Sequence, residues 1–140
     1  NSLLSQHLRF CKLQKEDDFI RRYMNYLGHN EFGLNHLPWN NSVNFKDLND
    51  INYWIEQWCL FYEFIYDKFQ SYKNTQFIIY EELNNSNYVE KLLKKLSLDN
   101  NKNLKLNHFR NYNKKEINIK FDKSIYHKAN LIYEKFIKSS

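Results

Sequence analysis

His29 and His36 flank Glu31 in one polar stretch, three side chains of the kind that ligate metals. Their spacing matches no zinc pattern, and histidines in such loops are ordinarily surface residues, so no metal site is expected. Glu81 and Glu82 are adjacent. In an extended backbone neighbours point to opposite faces, which makes them poor partners for acid–base work. Cys11 falls on an apolar helical face beside Leu8 and Phe10 and is expected to be a buried structural thiol rather than a nucleophile. Its only companion, Cys59, is too distant in sequence to form a metal-ligand pair with it, and two cysteines make no disulfide framework. The chain holds no CxxC, HExxH, GxSxG or GxGxxG, and no GxxxxGK[ST] phosphate loop.

The elements that must position these groups follow from periodicity. Leu3, Leu4, His7, Leu8 and Cys11 recur at helical spacing, as do Phe19, Ile20, Tyr23, Met24 and Leu27 behind an Asp17 or Asp18 cap. Ser2 to Gly28 thus reads as one broken helix or two short ones, with Gly28 the expected end. The span 29–44, with Gly33 and Pro38, reads as a loop that Trp39 pins to the body. The clearest helix runs from Asp47 to about Tyr72, with Asp47 or Asn49 as its cap. Its wide stripe holds Trp54, Ile55, Trp58, Tyr62, Ile65, Tyr66 and Phe69, with Glu56 on another face. Gln76 to Tyr80 (QFIIY) is expected to be a short strand buried on both faces of a parallel sheet. An Asn84, Asn85, Ser86 capping cluster opens a helix with Tyr88, Val89, Leu92, Leu93 and Leu96 on one face, ending near Leu98. A last helix runs from Asp122 to about Lys138. A lone strand cannot satisfy its own backbone, so its sheet partners are expected upstream of Asn1. The chain is accordingly expected to be the C-terminal part of one α/β domain spanning 1–140, itself mostly helical with one short buried strand.

Composition limits the classes. With 140 residues, 42% hydrophobic and 18% aromatic, the chain has material for one core and is not intrinsically disordered. No apolar run reaches the length of a bilayer span. The net charge is +5, but the cations are mostly Lys and are scattered rather than clustered, so no nucleic-acid partner is expected. The richness in Asn, Lys, Ile and Tyr beside a single Ala reflects codon bias more than selection for function. Unpaired cysteines favour a reducing compartment such as the cytoplasm, although buried thiols also persist in secretory proteins.

Three blocks together, NSLLSQHLRF, WIEQW and FIIYEELNNSNYVEKLLKKLSL, resemble the C-terminal half of the sulfotransferase family. There a strand runs into a Tyr-Glu-Asp-Leu turn followed by a helix, and a short helix behind a Ser binds the nucleotide 3′-phosphate. The resemblance implies a P-loop-type parallel-sheet fold, 3′-phosphoadenosine-5′-phosphosulfate (PAPS) as donor, and sulfuryl transfer to a hydroxyl or amine acceptor of unspecified class. Ser2 matches the family's 3′-phosphate-binding Ser, with Ser5 one turn on as the alternative. Tyr80 matches the nucleotide-contacting Tyr, and Arg110, in HFRNYNKK, corresponds to a late basic loop. Glu82 stands where the family has Asp, and the Gly that follows the late cations is absent. The family's phosphosulfate loop and catalytic base match nothing here, so no catalytic residue is assigned and the chain is not expected to be active alone. The alternative is a non-catalytic helical interaction module whose partner groove is the Trp/Tyr-rich helix. Placement of QFIIY separates the two.

Overall fold

A computed structural model describes residues 2–40, 44–98 and 120–140. It is built from α1 (Ser2–Glu16), α2 (Asp18–Leu27), α3 (Ile51–Phe69), a 3-10 turn (Tyr80–Glu82), α4 (Ser86–Lys95) and α5 (Lys123–Ser139). The caps follow local hydrogen-bond chemistry. Asp17 is extended and its carboxylate takes the N–H of Phe19 at 2.9 Å and of Ile20 at 3.3 Å, which ends α1 and starts α2. Gly28 closes α2 in the left-handed region (φ 68°), and the next N–H, from His29, reaches back to the Met24 carbonyl. Asn85 and Asp122 cap α4 and α5 in the same way as Asp17.

The long helix starts later than its periodicity suggests. Asp47 accepts the Asn49 N–H and forms a turn of its own, leaving Asp50 to cap α3 through the Asn52 N–H at 2.9 Å. α3 is the central element, packed along α5 and more lightly against α1, while α1 folds back on α2. Cys59 of α3 and Ile132 and Phe136 of α5 are buried together with Ile79. Phe136 meets Tyr62, Tyr66 and Phe77, each ring nearly perpendicular to it, the angled geometry that aromatic quadrupoles prefer.

The expected parallel sheet is not present among the described residues, which contain no strand. The QFIIY segment has no regular secondary structure over 76–79, and from an extended Ile79 it tightens into the 3-10 turn. It docks through side chains instead of a hydrogen-bonded ladder. Ile79 is 5% exposed in the α3–α5 core and its N–H donates to the Tyr88 hydroxyl at 2.9 Å, whereas Ile78 is 50% exposed. The segment is thus buried on one side only, and the reading of these residues as a strand within an α/β, P-loop-type domain is corrected to a helical architecture with one docked irregular segment.

Candidate functional site

Between the start of α1, the loop after α2 and one face of α3 lies a cavity of about 680 Å³. α3 contributes Trp54, Gln57, Trp58, Phe61 and Tyr62; the loop contributes Gly28, Asn30–Phe32 and His36–Trp39; α1 contributes Ser2 and Leu3. The volume lies within the range of small-molecule sites, and the wall has their character, an apolar surface with a few polar groups. All three tryptophans of the chain, Trp39, Trp54 and Trp58, line it.

The wall is held by buried polar side chains. Gln14 on α1 accepts the Leu34 N–H at 2.7 Å. Glu56 on α3 is buried and takes the N–H groups of Asn44 and Phe45 and the Asn44 amide, so it faces the loop. Its neighbour Gln57 accepts the Trp39 N–H at 2.6 Å, and the Trp39 ring lies edge-on to Phe61 at 4.9 Å. This is the anchoring expected of Trp39. Gln57 Nε2 is buried without a partner, the one such side-chain atom among the described residues.

Beneath the loop, His7 and His36 converge on Trp54, each with ring centroid 4.9 Å from it. His36 Nδ1 donates to the Asn30 carbonyl at 3.2 Å, so its Nε2 accepts the Tyr53 hydroxyl at 2.5 Å. His7 Nδ1 accepts the Gly33 N–H at 3.3 Å, leaving its Nε2–H for Cys11 Sγ at 3.4 Å. Burial holds both imidazoles below their ordinary range, with His36 adding to the effect on His7. Burial also raises the Cys11 thiol, against the pull of Lys15. A neutral thiol beside a neutral imidazole is not an activated nucleophile pair. Cys59, pushed up to about 11 by burial, is a packing residue.

The sequence-derived site residues are distributed as follows. Ser2 is the first residue of α1 and lies on the cavity; Ser5, exposed one turn later, does not line it. Tyr80 opens the 3-10 turn, 55% exposed and away from the cavity lining, so it does not share that site with Ser2. Arg110 lies outside the described residues. His29 and Glu31 approach to 3.6 Å, while His36 is committed to Asn30 and Tyr53; no group of three or more His, Cys, Asp or Glu could hold a metal among the described residues. Periodicity did not single out Gln14, Glu56 and Gln57. The available signal was polar residues at helix positions adjoining buried apolar ones. No family model, no curated protein and no solved structure matches the chain. Among the described residues no helix is long and apolar enough to cross a membrane.

Proposed function

We propose that the chain is the nucleotide-phosphate-binding part of a sulfotransferase-like protein, with 3′-phosphoadenosine-5′-phosphosulfate as the donor. The observation that carries the reading is the position of Ser2. It belongs to α1 and lies at the edge of a cavity, in a block that resembles the family's 3′-phosphate segment. A serine hydroxyl at that edge is a donor that a phosphate oxygen can accept from. The YEEL block supports the same assignment by resemblance alone, whereas the placement of QFIIY outside any sheet among the described residues and of Tyr80 away from the cavity lining does not support it. Sulfuryl transfer also needs cationic groups around the leaving nucleotide, and this chain contains no phosphate-loop lysine motif that would supply one. The transfer step is therefore assigned to the protein that carries this chain and not to these residues alone.

Calorimetric titration of the intact protein with adenosine 3′,5′-bisphosphate tests the reading. Saturable binding is expected, with Ser2→Ala weakening it by about tenfold, or ~1.4 kcal/mol, the scale of one hydrogen bond to a charged group. No binding by the intact protein overturns it. A second reading, a non-catalytic interaction module, is favoured by the exposed Leu37 and Trp39 on the cavity and the exposed Phe64 beside Trp39. It gains if the nucleotide fails to bind.

A further inference from the structure

We infer that the cavity is a binding site for a small organic cation, an alkylated ammonium group held among aromatic rings with Glu31 as its counter-charge. This goes beyond the nucleotide reading, which uses Ser2 at the cavity edge, and stands without it. Trp39, Trp58, Phe61 and Tyr62 line the cavity and are exposed or half-buried. Trp54 backs the wall instead, enclosed by His7, Phe32 and His36. The Trp39 and Phe61 planes stand at 84° with centroids 4.9 Å apart, and those of Phe61 and Tyr62 at 87° and 5.3 Å. Trp58 lies 4.5 Å from Tyr62. Rings set at right angles meet a rounded group from several sides, whereas a flat ligand lies against one. The electron-rich face of an aromatic ring attracts a cation, and an ammonium wrapped in methyl groups gains apolar contact as well.

The charges agree with this occupant. Among the described residues that line the cavity, Glu31 alone carries a formal charge at neutral pH and none is Lys or Arg, in a chain whose net charge is +5. The remaining polar groups are neutral. They are the Ser2 hydroxyl, the Asn30 amide, the Tyr62 phenol, His36 with both nitrogens engaged, and Gln57, whose Oε1 takes the Trp39 N–H and whose Nε2 is sealed from solvent. The Glu31 carboxylate is exposed and lies 3.6 Å from the His29 ring, a pairing that offsets its charge only when His29 is protonated. The Lys68 ammonium sits over Phe64, outside the lining. A cavity of about 680 Å³ suits a free small molecule.

Choline and 3,3-dimethyl-1-butanol are the probes. They share one shape and one hydroxyl and differ in a quaternary nitrogen against a carbon. Each is titrated into the intact protein at constant ionic strength and pH 8, above the ordinary imidazole range, while the indole N–H resonances of Trp39 and Trp58 are followed by NMR. Choline is expected to shift them saturably and to bind at least about tenfold more tightly than the alcohol. No shift, or equal affinities, overturns the inference. Glu31→Gln is expected to weaken choline about threefold and leave the alcohol unchanged, and an unchanged choline affinity overturns the role of the carboxylate. Trp39→Leu keeps the main-chain bond to Gln57 and is expected to remove most of the preference for choline, read at the Trp58 indole. A preference undiminished in the folded variant overturns the aromatic cage. Should Trp39→Leu not fold, the two-probe comparison and Glu31→Gln, at an exposed position, decide.

Discussion

Two glycines with left-handed backbones do different work. Gly28 (φ 68°) ends α2 with open space where a Cβ would stand, so Gly28→Ala is opposed only by the backbone conformation and should cost about 1 kcal/mol. Gly33 (φ 93°) is buried against the Gln14 amide, and an added Cβ would collide with that side chain's Oε1 and Cδ. Gln14 cannot simply withdraw, because it holds the Leu34 N–H, while the Gly33 N–H itself is held by His7. Gly33→Ala should therefore cost about 2–4 kcal/mol, adding overpacking to the backbone penalty. Urea denaturation of the two variants measures the difference, and equal midpoints would show that the Gly33–Gln14 approach is not tight. Gly28 was legible as a helix end because only the local chain is involved. The role of Gly33 was not, since its partners lie on α1, at sequence separations that no local pattern reports.

At the scale of elements, the loop after α2 is clamped to two helices by neutral imidazoles, His7 from α1 and His36 against α3. His7 Nδ1 would on protonation meet the Gly33 N–H, a donor that cannot turn away, and a proton on His36 Nε2 would require the Tyr53 hydroxyl to turn from donor to acceptor. Folding thus favours the neutral forms, consistent with pKa values held below 6.5 by burial in both cases. The unfolded chain binds more protons than the folded one below about that pH, so stability rises with pH in this window and is lost as pH falls through 6.5 toward the lowered folded values. The urea midpoint should drop between pH 7 and pH 5, and His36→Gln should flatten that slope. A wild-type midpoint that is flat or rises on acidification would contradict the clamp. The caps at Asp17, Asn85 and Asp122 were readable because a carboxylate or amide and the N–H groups it accepts lie within three residues. The meeting of His7 with His36 was not, and His7 was legible only as one more member of an apolar stripe. The same limit shifted the start of α3, where three candidate caps compete within four residues and Asp47 is consumed by its own turn.

For the whole molecule, what matters is how the segment 76–79 joins the helices. A run of apolar, β-branched residues states that it is buried but not what buries it, and a groove between helices accepts such a run as readily as a sheet does. The two arrangements differ in which side chains carry the energy. In a strand covered on both faces, Ile78 and Ile79 would contribute alike. Docked between α3 and α5, Ile79 is enclosed by core residues while Ile78 faces outward, and Phe77 stacks beside Tyr66 and meets Phe136 at 4.8 Å. Ile79→Ala should cost about 2–5 kcal/mol, the range for truncating a buried aliphatic side chain, and Ile78→Ala within about 0.5 kcal/mol of nothing. Phe136→Ala should cost about 3–5 kcal/mol, because its ring joins α5 to both α3 and the segment. Losses of that size are a large share of a typical domain's stability, so urea midpoints at fixed pH resolve them without ambiguity. Comparable losses at Ile78 and Ile79 in the intact protein would mean that a further surface covers the outer side of the segment, and the one-sided docking described here would have to be abandoned.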